Sequence, residues 1–281
     1  MWWDGRCVGL KRKYNMTKRK VITPAMRAQQ TVLRLQALRL SEGYKAKIAR
    51  ERTTAIRKAI KELSKYPYNE WEGMAADHII KEPKLKETIT KLYLNIGTPI
   101  ARVAVNRFLS RKADTSDMWE EALYEWTRKN MGAKIGLMEA AVNDWLKDQV
   151  RKVIEENPGA GIEKMTQIMQ RSVSQNWNTI REWQTRRIVQ TETMSAMNVA
   201  ASESIDLLGM DYERTWSIAG NNTRPSHEVM DGVTINKGEF FNVGGFMMAH
   251  PMDDSMGAPA GEIINCSCCA IDMPKDSGII I

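Results

Sequence analysis

Histidine is scarce in this chain: three residues in 281. Cysteine is nearly as rare, with four, and phenylalanine also numbers four. No run approaches the ~18 apolar residues that a membrane-crossing helix requires, which argues against a spanning segment. The opening stretch, MWWDGRCVGLKRKYN, has no apolar core followed by small residues, so it does not read as a secretory signal. Without such a signal, crowded cysteines do not suggest a secreted disulfide framework, and a reducing compartment is expected. There is no phosphate-cradling Gly-rich loop of P-loop form, no HExxH helix and no solenoid-length repeat.

Basic charge is present in excess and is unevenly placed. The net charge is +7, but residues 1–70 hold 18 Lys and Arg against 5 Asp and Glu. The tail runs the other way, with 4 against 9 over residues 213–281. A basic front suggests contact with an anionic partner, and nucleic acid is the first candidate. Lys11, Arg12, Lys13, Lys18, Arg19 and Lys20 are the expected contact residues, in an arm over 1–22 that has no apolar face.

The expected fold class is α+β, with the N-terminal two-thirds mostly helical and a small β-rich module at the C-terminus. Thr23-Pro24 has the form of an N-cap followed by proline at the first helical position. Ser41-Glu42-Gly43 suggests a break, and Tyr66-Pro67-Tyr68 a stop. Glu82-Pro83 and Thr98-Pro99 suggest junctions, and Ser116 or Asp117 a helix start. These signals give helical regions over 23–157 and 158–210, divided at Asn157–Gly161. The second region reads as two helices, 162–172 and 178–208, the latter ended by Gly209. Beyond it, residues 211–281 alternate like strands: DYERTWSIAG, then VTINKGEFFNV as strand, turn, strand, and NCSCCAIDM as a last strand. The nine tryptophans read as core packing or subunit contacts.

The tail collects two of the three histidines and three of the four cysteines. His227, His250, Cys266, Cys268 and Cys269 are imidazole and thiol donors of the kind that hold zinc, and Cys-x-Cys or Cys-x-x-Cys could supply two ligands from one turn. A module of about seventy residues with few aliphatics has a small core, so a metal staple would stabilise it. A nucleophile reading, with Cys266 beside His227 or His250 and Asp231 or Asp253 orienting the base, has the residue types but no fixing pattern.

The order TRPSH (Thr223 to His227), DG (Asp231-Gly232), HPMD (His250 to Asp253) and NCSC (Asn265 to Cys268) resembles the phage Mu F-like and SPP1 minor head protein family. So does Thr191-Glu192, followed by Asn198 and Ala200 and then Trp216. The similarity spans about residues 185–272. Its motif residues here are Thr191, Glu192, Asn198, Arg224, Asp231, Gly232 and Asn265. Gly220, Asn222, Gln190 and Ser267 stand where the family usually carries charged residues, which points away from charge-dependent catalysis. The resemblance implies a minor capsid or head morphogenesis protein of the virion. It would be assembled in the host cytoplasm and associated with the portal, other capsid proteins and packaged double-stranded DNA, and would act in head assembly or DNA delivery. A homo-oligomer is compatible with this. The expected alternative is a metal-dependent nuclease or toxin-like effector.

Overall fold

The structure, a computed structural model, describes residues 18–77, 79–106, 108–109, 116–220 and 223–275. Lys11, Arg12 and Lys13 lie outside these residues. The chain is α+β, with five helices followed by a small antiparallel sheet region. Helix α1 spans Pro24–Leu63, α2 Trp71–Ala76, α3 Pro83–Asn106, α4 Ser116–Glu156 and α5 Ile162–Leu207. One-turn helices α6 (Pro225–Glu228) and α7 (Ala260–Ile263) lie in the tail.

Several helix boundaries follow the local signals. Thr23 Oγ1 accepts from Met26 N at 3.3 Å, and Pro24 occupies the first turn, where its missing N–H costs nothing. Glu82-Pro83 opens α3, and α4 begins at Ser116. Gly209, with φ of 67°, follows the last turn of α5 in the left-handed conformation that glycine adopts freely.

Three expected breaks are corrected. Helix α1 runs unbroken through Ser41-Glu42-Gly43. Ser41 is buried and turns its hydroxyl onto Leu38 O (2.8 Å), while exposed Gly43 costs only a helix propensity of about 1 kcal/mol. Helix α3 continues through Thr98-Pro99, because Ile96, Ile100 and Ala101 are buried on either side of the proline and hold the axis. Helix α5 is one element across residues 172–178, with Val173 and Trp177 buried in the same core. In each case tertiary burial outweighs a local breaker.

Two hydrophobic cores fill the helical body. One gathers Ile56, Leu63, Trp71, Leu146, Val150, Met169 and Trp177. There Trp177 Nε1 donates to Thr53 Oγ1 at 2.8 Å, satisfying the buried indole. The other joins Ile48, Ile89, Tyr93, Leu123 and Val199 to Trp216, Phe241 and Cys266, so helices and tail share one core and the packing does not divide at 157 or 210. Gly97 marks the tightest approach: a Cβ there would meet Leu123 Cδ1 at 2.7 Å and Ala200 Cβ at 3.1 Å. Trp71, Trp119, Trp177 and Trp216 are wholly buried, while Trp183 is exposed with Arg187 stacked over it.

The main sheet runs β1-β3-β2-β6, from β1 (Lys18–Arg19), β2 (Tyr212–Ser217), β3 (Val233–Asn236) and β6 (Cys269–Pro274). Strands β4 (Phe241–Val243) and β5 (Phe246–Met248) make a separate two-stranded ribbon. The expected β3–β4 hairpin does not form. Asn236 N and Nδ2 are taken by Glu239 Oε2 in the turn, and β3 pairs with β2 (Glu213↔Asn236 to Thr215↔Thr234). Nor are residues 18–20 a free arm. Lys18 and Arg19 pair with Thr234 and Val233, and Lys20 N donates to Gly232 O at 2.8 Å. Gly232 (φ 77°) permits this approach, since a Cβ there would sit 2.5 Å from Lys20 O.

A buried contact between a guanidinium and a carboxyl ties α1 to the start of α3. Arg52 Nε lies 3.2 Å from Glu82 Oε1, and both side chains are almost fully enclosed. Burial pushes the Glu82 carboxyl up to about 7 from an ordinary 4.5, against the pull of Arg52, with Glu139 and Glu51 adding to the rise. Glu82 therefore keeps its proton in the folded chain where the unfolded chain has lost it. The stability it contributes is complete below 4.5 and is lost as pH rises through about 7. Glu82→Gln should flatten this loss: thermal melts across that window should show the variant gaining on the wild type towards the alkaline side.

Candidate metal centre

The tail is clasped by residues far apart in sequence. Arg224 is the N-cap of α6, and its guanidinium donates to Glu262 O (3.4 Å) and to Ile264 O. Ser226 Oγ donates to Glu262 Oε2 at 2.8 Å, and His227 Nε2 meets the same carboxylate oxygen at 2.8 Å. These contacts bring the short helices α6 and α7 together and leave His227 Nδ1 pointing inward.

There it meets two thiols. Cys266 Sγ lies 3.4 Å from His227 Nδ1, and Cys268 Sγ lies 3.5 Å from it. All three ligand atoms fall within 4.8 Å of one another. Among the described residues this is the one group of three or more such side chains placed to hold a metal ion. A tetrahedral ion with bonds of ~2.3 Å to sulfur and ~2.0–2.1 Å to nitrogen would separate N from S by about 3.6 Å. The observed spacing fits that geometry. The donors are enclosed, with His227 1%, Cys266 3% and Cys268 2% exposed.

The electrostatics suit a thiolate. Hydrogen bonds from the Cys268 thiol and from His227 hold Cys266 well below the usual thiol range despite its burial. The Cys266 interaction and burial push Cys268 up, so the pair loses its first proton easily and its second with difficulty. A bound cation would reverse that second penalty, because metal-bound thiols deprotonate. Cys268 N also donates to Cys266 Sγ at 3.4 Å. The Trp216 ring stands edge-on to the imidazole, 5.4 Å between centroids, and closes one side.

Two expected ligands are elsewhere. Cys269 begins β6 paired with Ser217, and its thiol reaches Ser267 O at 3.8 Å. As neighbours on a strand face opposite ways, Cys268 and Cys269 cannot both turn to His227. His250 turns Nδ1 to Pro251 O at 2.9 Å and lines a cavity of about 750 Å³ between α4, α5 and its own loop. Burial lowers its pKa, which keeps the ring neutral. That loop is held by Arg214, which donates to Ala249 O (3.1 Å) and grips Asp272 at 2.6 and 3.3 Å. Asp253 accepts from Ala249 N (2.8 Å) and Ser255 N (3.0 Å), so the HPMDD stretch is a self-bonded turn.

The remaining motif residues stitch the tail to the helical body. Thr191 Oγ1 accepts from Asn265 N at 3.1 Å. Asn265 itself is left-handed, φ 58°, a conformation asparagine tolerates. Asn198 Nδ2 donates to Cys268 O (3.0 Å) while its Oδ1 accepts from Ala270 N (3.1 Å). Buried Glu192 accepts from Tyr93 OH at 2.8 Å. Asp231 receives Arg27 in a two-pronged contact at 3.3 and 2.5 Å and also accepts from Ile218 N at 3.1 Å. Of the expected polyanion contacts, Lys18 and Lys20 pair with Glu213, and Arg19 donates to Val229 O at 2.8 Å. Glu262 and Ser226 were not legible beforehand; a carboxylate four residues ahead of Cys266 carries no recognised ligand spacing.

A scan against protein-family models, a search of curated proteins and a search of solved structures each return no match.

Asn198 joins α5 to Cys268 and to the start of β6, so it is the residue whose loss separates α5 from the turn that carries the thiols. Asn198→Ala should cost about 2–4 kcal/mol, from two buried backbone groups left unpaired. Asn198→Asp should also destabilise, since a carboxylate cannot donate to Cys268 O. Chemical denaturation of the purified variants measures both.

Proposed function

We propose that this chain is a minor protein of a phage head, a capsid or head morphogenesis protein that contacts the portal, other capsid proteins and packaged double-stranded DNA. The observation that supports this reading is convergence. Of the residues that carry the resemblance to the Mu F-like minor head proteins, Thr191, Asn198, Arg224, His227, Asn265 and Cys268 lie in one hydrogen-bonded clasp, while Glu192, Asp231 and His250 make separate contacts. A scattered coincidence of residue types would have no reason to close on itself. Proteomics of purified particles and assembly intermediates should find the chain in heads; its absence from both rejects the assignment.

The ion that the clasp would hold is zinc. Two thiolates and an imidazole form a soft, borderline set that favours Zn²⁺ over hard cations. His227, Cys266 and Cys268 would bind it, and Glu262 would fix the imidazole from behind through Nε2, the carboxylate–histidine arrangement common at zinc sites. Its enclosure favours a structural staple. Elemental analysis should give about one zinc per chain, lost in Cys266→Ser and His227→Ala. Glu262→Ala should weaken zinc binding about 10–100-fold, and Glu262→Gln, which still accepts from Nε2–H, should retain most of it. Chelator competition reads both.

One observation favours a second reading. Three protein donors is also the count at catalytic zinc sites, which keep a fourth position for water. A metal-dependent nuclease would cleave plasmid DNA in a chelator-sensitive way, with activity lost in His227→Ala. The burial of all three donors weighs against it.

A further inference from the structure

We infer that the outward face of helix α1 is a phosphate-binding surface for double-stranded DNA. At ~100° per residue, Arg39, Lys47, Arg50, Arg57, Lys58 and Lys61 fall within an arc of about 100°. Arg39, Arg50, Arg57 and Lys61 form a nearly straight row about 33 Å long, at ~1.5 Å per residue. No acidic residue occupies that arc. Buried Ala37, Ser41, Ile48, Ala59 and Leu63 lie on the opposite side, so the row faces away from the core. Five of the six cations are exposed and Lys47 is half-buried.

What distinguishes this row is its alignment: six cations share one face of α1 with no acidic residue among them, with Lys47 in electrostatic reach of Glu87 on α3. None of the six has a carboxylate within salt-bridge distance among the described residues, whereas α1's acids are engaged elsewhere: Glu42 with Lys45, Glu62 with Lys65, and Glu51 with the Thr88 hydroxyl. Exposed arginines on other helices are of both kinds: Arg102, Arg171 and Arg181 have no carboxylate within salt-bridge distance among the described residues, whereas others are bridged. Arg128 pairs with Glu125, Arg151 with Glu72 and Asp148, and Arg186 with Glu182. The cations expected to meet DNA in the first strand are likewise taken, by Glu213 and by a backbone carbonyl. The unpaired positive charge of the described front therefore sits on α1.

A straight row of cations matches a polyanion of regular charge spacing. It offers no fixed base-reading side chains, so the contact is to the backbone and independent of sequence. This deepens the proposed function and rests on that reading for the choice of double-stranded DNA over another polyanion. Particle composition, measured separately, decides the head assignment without touching the result here.

The test is binding of the full chain to a short random-sequence duplex over a salt series. Six phosphate contacts give a slope of log K against log salt of about −5. Arg50→Gln, Arg57→Gln and Lys61→Gln combined should make the slope shallower by about 3 and weaken binding about tenfold or more. All three positions are exposed, and an unchanged thermal melt confirms the fold. A Lys47→Gln, Lys58→Gln double variant should make the slope shallower by about 2. Wild-type protein that fails to retain the duplex at low salt overturns the proposal. So does an unchanged slope in both variants, which would move the contact off α1. Equal retention by polyglutamate, lost in the same variants, would assign the surface to an acidic protein and overturn it as well.

Discussion

The stretch Thr191–Ala200 of helix α5 is buried on every face, and that constraint organises the molecule. A helix enclosed all round cannot present an apolar stripe to one side and polar residues to the other. Each of its residues must be small, apolar or fully hydrogen-bonded. The sequence TETMSAMNVA comes close to the condition, with the buried hydroxyls of Thr193 and Ser195 left without a hydrogen-bond partner. Ala196 and Ala200 let neighbours approach, and Ala200 lies against Gly97 of α3. Thr191 and Asn198 spend their polar atoms on the tail, while Glu192 takes the Tyr93 hydroxyl and lies within electrostatic reach of buried Lys134. The same ten residues thus hold the helical body on one side and the sheet on the other.

The metal-ligand geometry is a consequence of that anchoring. Cys268 O and Ala270 N bond to a single asparagine side chain, so the chain between them is fixed on α5 where β6 begins. Asn265 N is fixed by Thr191, about two turns earlier on α5 than Asn198, which sets the other end of the Asn-Cys-Ser-Cys turn. Arg224 and Glu262 then carry His227 to the two sulfurs. For a core with few large aliphatics in the tail, such polar cross-links and an ion at their centre add rigidity that burial of apolar area alone would supply weakly.

Charge is used in two contrasting ways. Inside, Arg52–Glu82 and Arg214–Asp272 are enclosed pairs that fix where elements meet, and only the second has full two-pronged hydrogen bonding. The first leaves Glu82 under-solvated, which is why its proton is retained so far up the pH scale. Outside, one face of α1 carries a row of cations with no salt bridge among the described residues, a costly arrangement for an isolated helix and a useful one beside a polyanion.

Local chemistry in the sequence determined the α+β class, the Thr23-Pro24 start, the Pro83 start of α3, the linker at Asn157–Gly161, the Gly209 stop and the strands at Tyr212–Ser217 and Cys269–Pro274, because caps, prolines and alternation act over a few residues. It also grouped His227 with Cys266 and Cys268 by donor type. Only the tertiary structure decided that His250 and Cys269 turn away, that Glu262 stands behind the imidazole, and that Lys18–Lys20 form an edge of the sheet. It likewise carried α1, α3 and α5 through Gly43, Pro99 and residues 172–178. The physical reason is the same in each case: burial against distant elements contributes more than a local propensity of about 1–3 kcal/mol, and the direction of a side chain is set by the neighbours that satisfy its polar atoms.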